Sequence, residues 1–277
     1  MRAAIDFGIS NTDVVVLVDQ ELRRWTLPSQ GDPDVERLRN VLAIGGVALD
    51  QITQLAVTGG RHRIFPRHIG ACRVVSVGEI EAIGRGGLHL AKKAAIPADA
   101  PILVISAGSG TAMVDARGDQ WRHITGSGVG GGTLNGLGRL LIGTSDPVEI
   151  DRLARLGNPN GADLSIADVI SEPIGNLPGD ATAVNFGRVA RFPLAPSRED
   201  LAAALVTLVA QVIGVIGINA ARAQQTPHMV VIGHLIDMPS IRRALVAVGD
   251  LYQFPFILPA EAGYGTAIGA LLHERSD

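Results

Sequence analysis

A carboxylate followed by a hydroxyl-rich turn near the start of the chain could hold Mg²⁺ beside nucleotide phosphates. Asp6 ends a short apolar run and is followed by the sequence GISNT at residues 8–12. A carboxylate at the end of a strand can hold hydrated Mg²⁺ through water, while the turn supplies donors for phosphate oxygens. An aspartate that only caps its own turn explains the same residues, so that alternative stays open. The predicted phosphate donors of this turn are Gly8, Ser10, Asn11 and Thr12.

A second turn, much richer in glycine, occupies residues 124–143 with the sequence ITGSGVGGGTLNGLGRLLIG. Glycines without Cβ atoms let backbone N–H groups approach a ligand closely. Leu134, Leu137 and Leu141 then follow at helical spacing, and a helix that starts in such a turn favours phosphate at its N-terminus. A tight turn whose glycines only permit close packing is the alternative. The predicted phosphate donors here are Ser127, Gly130, Gly131, Gly132 and Thr133.

Composition limits the partners of this chain. The formal net charge is −3 over 277 residues, and Lys and Arg are scattered, with residues 61–67 the densest basic stretch. A nucleic-acid partner is therefore not expected. The one cysteine, Cys72, fits a reducing cytoplasm and is expected to be a buried core residue. The apolar run at the N-terminus is too short for a signal sequence.

One segment is long and apolar enough to span a bilayer. Residues 202–221 contain no charged side chain. However, Gln211 and Asn219 interrupt the segment, and Ser197 with Glu199 and Asp200 reads as the start of a soluble helix. The segment is therefore interpreted as a buried core helix, and no membrane partner is expected.

Two parts of the chain share one pattern. Residues 3–19 and 101–115 each read as an apolar strand, a turn rich in Gly, Ser and Thr, and a second apolar strand, followed by a short segment that contains Trp25 or Trp121. This pattern suggests two related lobes, although such hairpins also occur by chance. Strands alternate with helices elsewhere, which predicts an α/β fold with mixed sheets. Helices are predicted at 34–44, 79–93, 147–156, from Ser197 onward, near 239–248 and at the end of the chain, and strands at 54–58, 73–77, 228–233 and 254–258.

The chain resembles the type II pantothenate kinases of the actin-like ATPase and sugar kinase superfamily. The run SAGSGTAMV at residues 106–114, followed by WRHITGSGVGGGTLNGLGRLLIG at 121–143, is similar to the family's central loop and helix. Shorter matches are VTGG at 57–60, NFG at 185–187, VVIG at 230–233 and EAGYGTAIGALL at 261–272. The resemblance implies a two-lobed, ribonuclease H-like fold with a nucleotide cleft between residues 1–96 and residues 97–277. It also implies that Gly233 contacts the nucleotide and that the last helix packs back on the first lobe.

The resemblance implies a catalytic base as well. The family places a glutamate at the start of a helix that continues with a glycine seven residues later, and Glu79 and Gly86 match this pattern. Such a carboxylate could accept the proton of a hydroxyl as the oxygen attacks phosphorus. A glutamate that only complements the helix dipole is the alternative. Glu81 is the competing residue, but it would face elsewhere on the helix.

Four positions depart from the family pattern, and the first is Ile9, which stands where relatives usually have a second glycine. Asp13 stands where relatives usually have lysine, Ala112 replaces a serine, and His123 replaces an arginine that meets the carboxylate of pantothenate. Arg122 is adjacent, but neighbours on a strand point to opposite faces. Histidine does not hold a carboxylate bidentately, so the acceptor is in question. The predicted acceptor site consists of Ser109, Gly110, Thr111, Arg122 and His123.

The resemblance implies an ATP- and Mg²⁺-dependent kinase that phosphorylates pantothenate in coenzyme A biosynthesis. Asp6 would organise Mg²⁺ through water, and Glu79 would be the base. A homodimer with its interface in the second lobe is expected, and feedback by coenzyme A or its thioesters is left open. The alternatives are a kinase of the same fold with another acceptor, such as pantoate or pantetheine, and a nucleotide-binding regulator or activator ATPase without kinase activity, which Asp13 favours.

Overall fold

Three consecutive strands open each half of the chain, because each half begins with two apolar runs joined by a glycine turn. The computed structural model describes residues 1–60, 62–94, 96–97, 100–171, 178–193 and 195–273, so Arg61 of the basic stretch lies outside the described residues. The first sheet contains β1 (Arg2–Phe7), β2 (Asn11–Val18), β3 (Glu21–Pro28), β4 (Gln54–Gly59), β5 (His68–Ile69) and β6 (Cys72–Ser76). The second contains β7 (Ile102–Ala107), β8 (Thr111–Arg117), β9 (Gln120–Ser127), β12 (His228–Ile232) and β13 (Phe256–Ile257).

The two sheets repeat one topology. The strand orders are β3-β2-β1-β4-β6-β5 and β13-β12-β7-β8-β9. In each, an antiparallel three-stranded unit is followed by a parallel strand, β4 beside β1 and β12 beside β7. The predicted strand–turn–strand repeat is confirmed, and the chain has the α/β, two-lobed architecture expected from the sequence. We call the part built on the first sheet the first lobe and the part built on the second sheet the second lobe.

Helices cover both faces of the second sheet and separate the two sheets. The helices are α1 (Val35–Ile44), α2 (Glu79–Lys93), α3 (Gly131–Leu141), α4 (Pro147–Leu156), α5 (Ile166–Val169), α6 (Gly187–Arg191), α7 (Arg198–Ala223), α8 (Pro239–Tyr252) and α9 (Gly265–Leu271). One core unites α2 and α9 with residues of both sheets. A second core packs α3, α4, α7 and α8 on the outer face of the second sheet, and a third packs α1 on the first sheet.

The long apolar segment forms α7. Among the described residues, α7 is the helix with the length and hydropathy to cross a bilayer. Ser197 caps its start by accepting the Asp200 backbone N–H, as expected, and 13 of its 26 residues are buried, nine of them in the second core. Burial of this kind is what the core helix of a lobe requires.

Residues 157–171 and 178–192 contain regular elements that their Gly, Pro and Asn content does not indicate. A small antiparallel sheet forms there from β10 (Leu164–Ser165) and β11 (Thr182–Val184), with α5 and α6 beside it. Asp163 organises these pieces, because its carboxylate accepts hydrogen bonds from the Thr182 hydroxyl at 2.9 Å and from the Phe186 backbone N–H at 2.7 Å. Such side-chain anchoring carries no periodic signal in the sequence.

Candidate active site

A cleft of about 440 Å³ lies between the lobes, where the ends of β1 and β7 face each other. The first lobe contributes Asp6, the turn after it and the start of α2. The second lobe contributes the turn between β7 and β8, the start of α3, and the segment after β12. Nine of the residues predicted from sequence line it together: Asp6, Gly8, Ser10, Asn11, Glu79, Ser109, Gly110, Gly131 and Gly233.

The turns of the two lobes meet across this cleft. Ser10 follows β1 and Ser109 follows β7, and their Oγ atoms are 2.7 Å apart. Both hydroxyls therefore lie where a bound anion would find a donor from each lobe. Ile9, between Gly8 and Ser10, points its side chain into solvent and is 89% exposed.

Asp6 sits at the base of the cleft in an acidic environment. Burial raises the pKa of Asp6 to about 8, and repulsion from Asp13 and Glu79 contributes to the shift. His234 opposes it. The raised pKa indicates that the surroundings of Asp6 supply too little positive charge to offset burial and repulsion. A cation bound nearby would stabilise the ionised form of this carboxylate.

Thr12 does not reach the cleft. It belongs to β2 rather than to the turn, and it is fully buried. Its hydroxyl lies 3.1 Å from the Ser29 hydroxyl and accepts a hydrogen bond from Arg37 at 3.2 Å. The strand begins at Asn11, two residues earlier than the turn composition indicates, because residues 11–18 pair with β3 and residues 12–17 also pair with β1.

The glycine run packs on the turn of the second lobe. The Gly131 backbone N–H donates to the Gly108 carbonyl at 2.8 Å, and the Gly132 N–H donates to the Ser109 carbonyl at 2.9 Å. These two donors are therefore occupied, contrary to the expectation that they are free for phosphate. Close packing, the alternative interpretation of the run, explains both bonds. Gly131 still lines the cleft, whereas Ser127, Gly130, Gly132 and Thr133 are not among the residues that line it.

We expect Gly130→Ala to disrupt this packing. A Cβ at Gly130 would lie 2.8 Å from the carbonyl oxygens of Gly108 and Ser109, which are backbone atoms and cannot turn away. The second turn must then shift. We expect the affinity for ATP, the ligand that the sequence resemblance implies, to fall by about tenfold or more and the free energy of unfolding to fall by about 1–3 kcal/mol. Calorimetric ATP titration and urea denaturation measure the two effects.

Gly128→Ala is the matched control. A Cβ at Gly128 meets no atom within 4 Å, although the residue lies in the same loop. We expect its ATP affinity and stability to stay near those of the parent protein. Equal losses in the two variants would contradict the packing explanation for Gly130.

Glu79 occupies the first position of α2, with Gly78 as the N-cap. Its side chain is exposed and lines the cleft. The competing residue, Glu81, faces away: its carboxylate accepts a hydrogen bond from Arg85 at 3.0 Å and lies 2.6 Å from His273 Nδ1. The helix therefore presents Glu79 to the cleft, as the sequence pattern predicts.

The predicted acceptor residues divide into two groups. Ser109 and Gly110 line the cleft, as does Ala112. Thr111 is buried, and its hydroxyl donates to the Val129 carbonyl at 2.8 Å. The other two lie on β9, outside the residues that line the cleft: Arg122 lies 3.6 Å from Asp115 and donates to Gln224, and His123 is exposed.

Asp13 makes a contact that the sequence does not reveal. Asp13 as a residue is 6% exposed. Its carboxylate accepts a hydrogen bond from the Thr26 hydroxyl at 2.6 Å and lies 2.7 Å from Nε2 of His234. The Nδ1 atom of His234 lies 2.7 Å from Asp237. Burial lowers the pKa of His234, but the hydrogen bonds to Asp13 and Asp237 outweigh burial and raise it to about 10. The imidazole is therefore a cation in the cleft wall, and Asp13 points toward it. No motif marked His234, which is 221 residues from Asp13.

Other residues of the cleft were also missed by the sequence patterns. Asn135 on α3 lines the second-lobe end of the cleft, together with the apolar side chains of Pro147, Leu235 and Met238. Ser106 at the end of β7 lines it as well. The helical spacing of residues 131–141 places Asn135 one turn after Gly131, which is the one signal that could have found it.

Comparison with known protein families and curated proteins identifies relatives. The family model described as Fumble matches residues 89–273. A type II pantothenate kinase of Oceanobacillus iheyensis is 30% identical over 217 residues, which cover 78% of this chain and 80% of the relative. A type II pantothenate kinase of Staphylococcus aureus is 27% identical over 281 aligned residues, which cover 99% of this chain and all of the relative.

Solved structures match the fold over nearly the whole chain. The activator of the 2-hydroxyisocaproyl-CoA dehydratase from Clostridium difficile, with bound ADPNP, has a TM-score of 0.66 at 17% identity and covers 98% of this chain and 92% of its own. A ROK family glucokinase from Streptomyces griseus, in complex with glucose and AMPPNP, has a TM-score of 0.59 at 10% identity, covering 98% and 97%. At such identities the likeness concerns the fold, which is that of the actin-like ATPases and ROK kinases.

Proposed function

Because the chain belongs to the Fumble family, that of the type II pantothenate kinases, we propose that it transfers the γ-phosphoryl group of ATP to the primary hydroxyl of pantothenate. The observation that carries this proposal is the meeting of Glu79, Asp6 and both turns in one cleft. A base, a carboxylate that can hold a metal and phosphate donors from two lobes are the parts that phosphoryl transfer needs.

Glu79 is proposed as the general base. The hydroxyl oxygen of the acceptor attacks the γ-phosphorus, the bond from this phosphorus to the β–γ bridging oxygen breaks, and ADP leaves with that electron pair. The hydroxyl proton passes to the Glu79 carboxylate. The position of Glu79 at the first residue of α2 supports this role, because it places the carboxylate in the cleft beside both turns.

Asp6 is proposed to hold Mg²⁺ through water. The excess of carboxylates around Asp6 fits a divalent cation, since each of the neighbours Asp13 and Glu79 raises its pKa. The described residues contain no cluster of three or more His, Cys, Asp or Glu side chains arranged to enclose a metal ion. That pattern suits Mg²⁺, which is commonly held by one or two carboxylates, water and substrate phosphates. When bound, the ion neutralises charge on the phosphates.

The nucleotide phosphates are proposed to lie between the two turns. The hydroxyls of Ser10 and Ser109 face the same space and can donate to phosphate oxygens. The adenosine is then proposed to extend toward Pro147, Leu235 and Met238, because these supply the apolar surface of the cleft, with Asn135 offering an amide.

The acceptor is tested by a coupled ADP-release assay over pantothenate, pantoate and pantetheine. We expect pantothenate to stimulate turnover most. Preference for another acceptor would keep the kinase and overturn the substrate. If ATP binds but none of the three stimulates turnover, the regulator or activator ATPase becomes the better proposal.

Asp6→Asn tests the metal proposal. We expect this substitution, which keeps the shape of the side chain, to lower kcat by about 100-fold or more and to raise the Mg²⁺ concentration needed for half-maximal rate. Steady-state rates across a Mg²⁺ titration provide the measurement. Asp19→Asn, at the exposed end of the same hairpin, is the control and should titrate like the parent protein. An unchanged Mg²⁺ requirement in Asp6→Asn would remove Asp6 from the metal site.

The remaining expectations concern assembly and regulation. We propose a cytoplasmic homodimer with its interface on the second lobe, where several apolar side chains are exposed, and feedback by coenzyme A or its thioesters at the nucleotide cleft. Sedimentation velocity tests the dimer, and ATP-competitive inhibition by acetyl coenzyme A tests the feedback. The exposed apolar side chains of the second lobe include Val184, Phe192, Val246 and Tyr252.

A further inference from the structure

Among the described residues that line the cleft, two pairs join the lobes by hydrogen bonds. One is between the hydroxyls of Ser10 and Ser109, at the tips of the two turns. The other is between Asp13 on β2 and His234, which follows β12 directly. These contacts therefore connect the turn after β1 and strand β2 of the first lobe to the second lobe, at the place where a nucleotide would bind.

The Asp13–His234 contact has the features of a strong and specific interaction. The Asp13 side chain is 9% exposed and that of His234 is 24% exposed, so solvent screens the pair weakly. Because Asp13 and Asp237 occupy both ring nitrogens, the imidazole has one orientation and a positive charge. Hydrogen bonds between charged groups in such settings are stronger than neutral ones.

The backbone around His234 is shaped to hold the ring. A Cβ at Gly263 would lie 2.5 Å from His234 Nδ1 and 2.9 Å from an Asp237 carboxylate oxygen. The ring of Tyr264 meets the imidazole edge-on, with centroids 5.6 Å apart. The ring is thus enclosed by its own lobe and presents only Nε2 to the other lobe.

We propose that Asp13 and His234 form a latch between the lobes that holds the two turns at the separation needed to bind one nucleotide. Asp13 lies opposite Asp6 in the register of β1 and β2, and His234 follows Gly233 in the cleft wall. The latch therefore acts on the strand hairpin that carries the first turn. His234 is a positioning residue in this proposal, since its ring nitrogens are both occupied. Only the kinetic test of the latch depends on the proposed function.

Disulfide trapping reports the separation of the turns directly. Cysteines at positions 10 and 109 would replace two hydroxyls that are 2.7 Å apart, and the native Cys72 is buried. We expect the Ser10→Cys/Ser109→Cys protein to form the disulfide readily with oxidised glutathione. Adding His234→Gln should slow its formation by about tenfold or more, because the turns then separate. Equal rates with and without His234→Gln would overturn the latch.

Controls separate the latch from general effects on the fold. Asp237→Asn keeps the Asp13–His234 contact and leaves an amide oxygen for Nδ1, so its trapping rate should stay within about threefold. Arg24→Gln removes another contact between the lobes, the 2.9 Å ion pair with Glu261, whose side chains are more exposed at 39% and 24%. With Arg24→Gln added, the Ser10→Cys/Ser109→Cys protein should form its disulfide at an unchanged rate. Slowing by Arg24→Gln equal to that of His234→Gln would also contradict the proposal.

Steady-state kinetics of variants that keep the native Ser10 and Ser109 provide the second measurement. Loss of the latch lowers the population of the binding-competent arrangement, so His234→Gln should raise the KM for ATP by about tenfold while kcat at saturating ATP falls by less than about threefold. Asp13→Asn added to His234→Gln should raise the KM no further, since both remove one contact. A loss in kcat alone would contradict the latch. Trapping is also measured with MgATP, which should slow it because the phosphates are proposed to lie between the two turns. Trapping that depends on His234 but is insensitive to MgATP would retain the latch and contradict the proposed nucleotide position.

Discussion

The Glu79→Gln variant is expected to bind ATP as the parent protein does and to transfer phosphoryl groups about 100-fold to 10,000-fold more slowly. Glutamine keeps the length of the side chain and the start of α2, but it cannot accept the hydroxyl proton. Glu79 is exposed, and its side chain makes no hydrogen bond within the part of the chain that the structure describes, so we expect the free energy of unfolding to be nearly unchanged. Single-turnover phosphorylation and ATP titration measure the two quantities separately.

Glu81→Gln is the matched control for this prediction. Glu81 lies two residues along the same helix and contacts Arg85 and His273 rather than the cleft. Its substitution should lower stability by about 1 kcal/mol and leave the turnover of the folded protein close to the parent value. If Glu79→Gln retains full turnover, or if Glu81→Gln loses it, the base is assigned to the wrong residue.

The Gly86→Ala variant is expected to be strongly destabilised. A Cβ at Gly86 would lie 1.9 Å from the Gly265 carbonyl oxygen, and one at Gly269 would lie 1.8 Å from the Ala82 carbonyl oxygen. Helices α2 and α9 therefore touch through their backbones. Because neither backbone can yield without moving a helix between the sheets, we expect a loss of about 3 kcal/mol in the free energy of unfolding. Urea denaturation followed by tryptophan fluorescence measures it.

Gly136→Ala distinguishes this steric effect from the intrinsic preference of glycine. Gly136 lies inside α3 with no atom within 4 Å of its added Cβ. Alanine favours a helix interior by up to about 1 kcal/mol, so this variant should be more stable than the parent protein. A stable Gly86→Ala protein would mean that α2 and α9 can separate without cost.

The regular elements follow from local signals in the sequence. The bounds of α2 agree with the predicted helix at 79–93, because Gly78 and the acidic first turn mark its start. Strands β1 to β3 and β7 to β9 follow from apolar runs separated by glycine turns. The short strand β13 (Phe256–Ile257) is less extended than the predicted 254–258, because a strand at the edge of its sheet pairs on one side only.

The site was less predictable, because its geometry depends on contacts between distant residues. The turns and Glu79 have local patterns, and the structure brings them to one cleft. No local pattern identifies His234, the partner of Asp13, because a single histidine after a buried strand is common in sequences. Likewise, the glycines at 130–132 could serve a ligand or a neighbouring turn, and only the position of residues 108–110 distinguishes the two.

The position of α9 determines when the first lobe can finish folding during translation. The side chains of Ala267, Ile268 and Leu271 cover apolar residues of the first lobe, and Arg2 donates a hydrogen bond to the Leu271 carbonyl at 2.8 Å. During translation the first sheet therefore leaves the ribosome long before its cover is made. Until residues 265–271 emerge, the nascent chain exposes an apolar surface that chaperones can bind. Residues 265–271, which are translated well after the first sheet, thus decide whether that sheet is protected from aggregation.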